Sequence, residues 1–176
     1  MKRDLSERQL RLSNYQGYFR GYLDLVPGSD FHSMFQSQWD YLPDYFRAYS
    51  ADRQQYVYAE SKWSPKTILQ HIIDTERIMA YRALCIARSE EQHLPGFDEN
   101  AYALQARAER RNWGDLIGEW STIRISSQQL FASFDNDGLL REGSFSGLRL
   151  SVEGIGCLIA GHVQHHYRIL EERYRI

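Results

Sequence analysis

Four stretches of this chain carry apolar residues at intervals of three and four positions, a spacing that places side chains on one face of an α-helix. The best-marked stretch runs from Pro65 to about Ala87. Ser64 precedes it and suits an N-cap, and Pro65 occupies the first helical position, where a missing N–H has no consequence. This segment is therefore predicted to form a long helix with one face buried.

The other three stretches predict helices of similar length, over 31–49, from 112 to about 134, and over 152–174. Ser151 suits the N-cap of the last one. Pro43 lies inside the first of them and predicts a kink or a break there. Because four long amphipathic helices bury their apolar faces against one another, the predicted fold class is all-α, a four-helix bundle.

Shorter segments connect the predicted helices. Residues 1–30 are polar with interspersed tyrosines and end in a Pro-Gly-Ser-Asp turn, which indicates an N-terminal arm packed on the bundle. Asp98 suits the cap of a short helix through Ala108, and the glycine-bearing stretch 138–150 indicates a loop or small hairpin before the last helix. Since no linker or repeat divides the chain, we expect 1–176 to form a single domain.

The overall charge disfavours nucleic-acid binding. Lysine and arginine number 21 against 23 acidic residues, a formal net charge of −2, whereas binding to nucleic acid depends on many cationic contacts with phosphates. The two cysteines, Cys85 and Cys157, lack the Cys-x-x-Cys spacing of a thiolate metal site. No apolar stretch resembles a signal peptide or a membrane span. We therefore expect a cytoplasmic protein with neither nucleic acid nor membrane as a partner.

Two histidines lie one helical turn apart on the predicted last helix. At 100° per residue, His162 and His166 fall inside its apolar stripe, while His165 falls at the edge. The same treatment of the 65–87 helix places His71 within its apolar arc. A single inward histidine is more often a hydrogen-bonded core residue than a ligand. The hypothesis of a shared site therefore depends on the three rings converging.

Three converging histidines would hold a divalent transition metal. Neutral imidazole suits zinc, nickel, copper or iron rather than calcium or magnesium. Three protein ligands leave at least one coordination position open, which is typical of catalytic rather than structural sites. Such an ion activates a water or a thiolate, or polarises a carbonyl. Two alternatives stay open at this point: metal binding without catalysis, and a dry core in which the histidines only form hydrogen bonds.

Three further polar residues are candidates for a supporting role. Glu76 and Arg82 fall in the apolar arc of the helix that carries His71. Glu76 could orient a ligand histidine, although an ion pair with Arg82 or another arginine is the commoner reason for such a residue. His165 could carry protons at the rim of a pocket, because the ordinary histidine pKa lies near neutrality. An exposed or loop-bonded histidine is the simpler interpretation.

A series of short motifs runs nearly end to end through the chain: Tyr15-Gln16-Gly17-Tyr18-Phe19, Leu25-Val26-Pro27, Lys62-Trp63-Ser64, His71-Ile72-Ile73-Asp74-Thr75-Glu76-Arg77, Tyr81-Arg82-Ala83-Leu84, Leu94-Pro95-Gly96-Phe97-Asp98, Gly161-His162-Val163-Gln164-His165-His166 and Glu172-Arg173-Tyr174. Together and in this order, they resemble the DinB-like (DinB/YfiT) superfamily of small bacterial helical-bundle proteins.

The resemblance implies a four-helix bundle, usually a homodimer, with a divalent metal, often nickel or zinc, held by His71, His162 and His166. It also implies a small-molecule substrate and one of two activities. These are metal-dependent hydrolysis and thiol transfer, the latter with a low-molecular-weight thiol such as bacillithiol, mycothiol or glutathione. Membership of a family does not transfer a substrate. A non-catalytic, stress- or damage-inducible metal-binding protein is the alternative function.

Overall fold

The computed structural model describes residues 19–89 and 94–174 of the chain, which are mostly helical. The helices are α1 (Arg20–Leu23), α2 (Phe31–Arg47), α3 (Ala51–Gln54), α4 (Pro65–Ala87), α5 (Glu99–Ala106), α6 (Trp113–Ala132), α7 (Asn136–Leu140) and α8 (Val152–Arg173). The strands are β1 (Glu142–Phe145) and β2 (Leu148–Ser151), and 3-10 turns occupy Pro27–Ser29 and Ala108–Arg110. Across these described ranges, no helix has both the length and the apolar character that crossing a bilayer requires.

The four long helices form the predicted four-helix bundle. Both α2 and α4 pack against α6 and α8, so these two successive long helices occupy opposite corners of the bundle. Buried apolar side chains fill the interior in two groups, one around Phe35 and Phe131 and the other around Phe46 and Trp120. Full burial of a phenylalanine contributes about 1.5–3 kcal/mol, so these aromatic contacts hold the helices together. The all-α prediction is confirmed.

The two helices that carry the histidines begin at the residues that the sequence predicts. The Ser64 hydroxyl accepts a hydrogen bond from the Thr67 N–H at 3.3 Å, and the Ser151 hydroxyl accepts one from the Gly154 N–H at 3.0 Å. Each cap satisfies a backbone donor of the first turn and contributes roughly 1 kcal/mol. The caps fix where α4 and α8 begin, and the spacing of the apolar residues along each helix determines which side chains face inward.

No break occurs at Pro43, contrary to one of the two expected outcomes. Helix α2 runs as one element from Phe31 to Arg47. Proline removes one helical hydrogen bond, but its neighbours Leu42 and Phe46 are 0% and 1% exposed. Their packing in the core holds the helix on both sides of the proline.

The segment between α6 and α8 contains a short helix as well as the expected hairpin. Asp135 caps α7 by accepting a hydrogen bond from the Gly138 N–H at 2.8 Å, an element that the sequence analysis did not predict. Strands β1 and β2 then pair antiparallel. Ser146 and Gly147 at their turn have φ values of +49° and +74°, the left-handed conformation that a tight two-residue hairpin turn requires.

The described part of the predicted N-terminal arm, residues 19–30, packs on the bundle through α1 and α8. Residues 1–18 of that arm lie outside the described ranges. A Cβ atom at Gly161 would collide with the Tyr22 carbonyl oxygen, so glycine is what permits this close approach. The approach places the Tyr22 ring against the histidine-bearing part of α8, 5.4 Å from the ring of His162.

Candidate metal centre

The structure brings together the three histidines that the sequence selects. His162 and His166 lie one turn apart on α8, and His71 lies on α4, which packs against it. The Nε2 atom of His162 is 2.9 Å from Nε2 of His71 and 3.1 Å from Nε2 of His166. One ring nitrogen from each residue lies within 4.8 Å of the other two. The three nitrogens therefore face a common point between the helices.

Burial keeps these imidazoles in their neutral form. His71, His162 and His166 are 7%, 6% and 8% exposed. Burial, together with a smaller effect of the charge of His165, lowers the pKa of His71 to about 4. Burial, followed by repulsion from neighbouring imidazoles, also holds the pKa values of His162 and His166 well below the ordinary range. Because a metal binds the deprotonated imidazole nitrogen, the cluster is ready to bind a metal at neutral pH.

The donor set fits a divalent transition metal. A neutral imidazole has only one N–H and one lone pair, so three mutually facing Nε2 atoms cannot all satisfy one another by hydrogen bonding. A shared cation would accept all three lone pairs. Two nitrogens bound to a tetrahedral zinc at 2.0–2.1 Å lie about 3.3 Å apart, close to the 2.9 and 3.1 Å found here.

The three rings form one wall of a cavity of about 110 Å³. Most of its remaining lining is aromatic or apolar, with a few polar groups, and comprises Phe19, Tyr22, Trp63, Thr75, Met79, Glu99, Leu158 and His165. This volume accommodates only a few water-sized groups. A small reactive group therefore fits beside the histidines, whereas a whole drug-sized ligand does not.

Thr75 and Glu99 are polar residues at this cavity to which the sequence analysis assigns no role. Thr75 lies one turn after His71 and is 5% exposed, and its hydroxyl has no hydrogen-bond partner in residues 19–89 and 94–174. Glu99 reaches the cavity from the first turn of α5, whose cap Asp98 accepts a hydrogen bond from the Asn100 N–H at 2.9 Å. The sequence does carry a signal for Thr75, because helical periodicity places it in the apolar arc beside His71. Nothing in the sequence indicates that α5 lies over the histidines.

His165 lines the same cavity and is half-buried rather than exposed. Its ring centroid lies 5.2 Å from those of both Tyr22 and His166. Burial lowers its pKa, and the charge of Arg168 lowers it further. This position at the cavity supports the hypothesis of a proton carrier, which stays a prediction.

Glu76 has a different partner from the histidines. Its carboxylate accepts a hydrogen bond at 2.9 Å from Arg124, and the two side chains are 1% and 0% exposed. The Arg124 guanidinium also lies 4.3 Å from the centre of the Phe35 ring. Burial raises the pKa of Glu76, while Arg124 opposes that shift. Since Glu76 does not line the histidine cavity, these contacts favour the structural ion pair, formed with Arg124 rather than Arg82.

Arg82 also contacts other parts of the fold. It donates a hydrogen bond to the Pro95 carbonyl at 2.6 Å, and its guanidinium lies 4.6 Å from the centre of the Phe145 ring. Arg82 therefore attaches the hairpin and the 94–97 turn to α4. It is absent from the lining of the histidine cavity, which favours a structural role.

The fold and the site define a helical-bundle protein with a three-histidine cluster between two of its long helices. The chain belongs to the DinB superfamily, whose family model matches residues 34–170, a range that contains all three histidines. A similar solved structure is that of YfiT from Bacillus subtilis, 12% identical with a TM-score of 0.74 over 92% of each chain. YfiT is described as a probable metal-dependent hydrolase with an unusual four-helix bundle topology. A search of curated proteins finds no match.

Proposed function

We propose that this protein is a metal-dependent hydrolase of a small molecule, with a divalent metal held by His71, His162 and His166. The observation that carries the proposal is the convergence of three buried, neutral imidazole nitrogens at the wall of a cavity. Membership of the DinB superfamily and the description of YfiT support it. Nickel and zinc are the proposed ions, because an all-imidazole donor set favours them over calcium and magnesium.

The bound ion would supply Lewis acidity, which lowers the pKa of a water or polarises a carbonyl. The chain supplies the remaining functions. Glu99 and His165 line the cavity and are the candidates to accept and return a proton. The Thr75 hydroxyl lacks a hydrogen-bond partner in the described ranges and is suited to orient a polar group of the substrate. Trp63 and Tyr22 provide aromatic lining beside the histidines.

Transfer of a small thiol, a homodimeric assembly and a cytoplasmic location remain proposals based on the sequence. The same site chemistry serves thiol transfer, since a metal binds and activates a thiolate as readily as a water. Assays with and without an added thiol separate the two activities. Sedimentation of the purified protein tests the dimer.

The test is a comparison of variants in one assay. Protein purified without an affinity tag is analysed for metals and assayed on a panel of activated esters and amides, with and without glutathione. We expect stoichiometric metal and turnover that His162→Ala and chelation abolish. His32→Ala is the matched control, because His32 is exposed on α2 and does not line the cavity. Full turnover after the metal is removed would refute the proposal, whereas bound metal without turnover would favour the non-catalytic alternative.

A further inference from the structure

Two larger cavities adjoin the cavity beside the histidines. A neighbouring cavity of about 260 Å³ shares His166 and Trp63 with it, and a third, of about 640 Å³, shares Trp63 with it. Lys62 and Asn100 line both of the outer cavities. Trp63, whose ring centroid lies 4.8 Å from that of His71, therefore separates the histidine cavity from an open groove.

The outer cavities, of about 640 and 260 Å³, are large enough for the part of a substrate that the histidine cavity cannot hold. Pockets for small molecules commonly measure about 300–1,000 Å³, whereas the histidine cavity measures about 110 Å³. On the proposed function, the reacting group lies at the histidines. Most of the substrate must then lie beyond Trp63, in the outer cavities, and the groove determines which substrates bind.

Cationic side chains dominate the charge of this groove. Lys62, Arg107 and Arg110 line its largest cavity, together with one acid, Glu109. The Arg110–Glu109 pair is 3.5 Å apart and mostly exposed. Within residues 19–89 and 94–174, no ion pair involves the side chain of Lys62 or of Arg107. The groove therefore carries a local positive excess on a chain whose formal net charge is −2.

The backbone that carries the two arginines is held in place. Arg107 ends α5 in the left-handed conformation, with φ +48°, and the 3-10 turn Ala108–Arg110 follows directly. Ala108 is 1% exposed, and Lys66 of α4 donates a hydrogen bond to the Arg111 carbonyl at 2.7 Å. These contacts fix the backbone of the turn against α4, which places Arg107 and Arg110 beside the groove. Arg77 on α4 differs from the groove cations Lys62 and Arg107, because its charge is neutralised by Glu119 at 2.6 Å.

We propose that this groove binds the anionic end of the substrate, which is a small organic molecule with a carboxylate or phosphate group at one end and its hydrolysable group at the other. This inference rests on the proposed function only for the hydrolysable end of the substrate. Binding of the anionic end does not depend on it. The anionic end is recognised by Lys62 and Arg107, with Arg110 adding charge at the rim. A substrate of this class is drawn in by the positive potential of the groove.

The first experiment compares two esters that differ only in charge, mono-4-nitrophenyl glutarate and 4-nitrophenyl valerate. The double variant Lys62→Gln/Arg107→Gln should lower kcat/KM for the anionic ester about tenfold, mainly through KM, and that for the neutral ester less than twofold. Arg149→Gln is the control, because Arg149 is an exposed residue of the hairpin at the opposite end of α4. Equal losses on both esters, or no loss, would overturn the inference.

The second experiment does not depend on catalysis. Calorimetry measures the binding of glutarate, of its neutral analogue glutaramide and of phenyl phosphate to chelator-stripped wild-type protein and to the same variants. We expect glutarate or phenyl phosphate to bind to the wild type, and to bind about tenfold more weakly to the double variant. Glutaramide should not bind. Whichever anion binds more tightly identifies the preferred anionic group, carboxylate or phosphate. Retained anion binding without any ester hydrolysis would refute the proposed function alone. Equal binding of glutarate and glutaramide, or equal anion affinities of the wild type and the double variant, would refute the proposal that the groove binds an anionic group.

Discussion

Among the buried polar groups of helix α4, His71 and Glu76 have surroundings that differ in kind. His71 faces two other neutral imidazoles at the wall of a cavity. Glu76, five positions further along, faces the guanidinium of Arg124, with no part in that cavity. The carboxylate and the guanidinium neutralise each other's charge, whereas three neutral imidazoles cannot satisfy all of their facing lone pairs among themselves. A cation from outside the chain would therefore satisfy the histidine cluster, whereas the ion pair requires none.

The difference shows how a site can be distinguished from a structural contact in a helical bundle. Both groups are almost completely buried, so burial alone does not separate them. What separates them is the partner each group has and the presence of space beside it. On this basis we expect the histidine cluster to contribute to binding and the ion pair to stability, and we expect each to be disrupted separately by substitution.

The largest expected effect on folding comes from disrupting the ion pair. Arg124→Met leaves the Glu76 carboxyl buried without its partner, and should lower the free energy of unfolding by about 3–5 kcal/mol. Adding Glu76→Gln should restore much of that loss, because no uncompensated charge remains. Chemical denaturation measures the stability, and elemental analysis should show unchanged metal content. Loss of metal in Arg124→Met protein that remains folded would show that the ion pair belongs to the site.

The second effect comes from removing the metal. An ion that binds only the folded protein stabilises it by about 4 kcal/mol when its free concentration is a thousand times its dissociation constant. We expect a chelator to lower the thermal midpoint of the wild type and of His32→Ala, and to leave that of His162→Ala nearly unchanged. Melts with and without chelator measure this effect. If a chelator lowers the thermal midpoint of His162→Ala as much as it lowers that of the wild type, the assignment of His162 as a metal ligand is contradicted.

The smallest effect concerns the pH dependence of the metal-free protein. Because the folded-state pKa of His71 is about 4 and that of an unfolded histidine is about 6.5, the unfolded state binds more protons between these values. The free energy of unfolding should therefore fall as the pH drops through this window, by up to about 1.4 kcal/mol per pH unit for this residue. His71→Gln should reduce the slope, and His32→Gln should not. Equal slopes in all three proteins would contradict the buried, neutral state of His71.

The sequence predicts local features of this protein better than it predicts which residues from different helices contact one another. Ser64 and Ser151 identify the starts of α4 and α8, because a cap depends on a few neighbouring residues. Helical periodicity places His162 and His166 on the apolar face of α8 for the same reason. The partner of Glu76 and the position of Glu99 at the cavity depend on how the helices pack. No local pattern encodes that arrangement.

The central claim is that three imidazoles from α4 and α8 bind one divalent metal. X-ray absorption at the metal edge of protein purified without an affinity tag tests it most directly. We expect about one metal ion per chain, with three imidazole nitrogens at about 2.0–2.1 Å if the ion is zinc, and loss of this signal in His162→Ala. Absence of stoichiometric metal, or a bound metal whose spectrum shows no imidazole ligands, would contradict the claim.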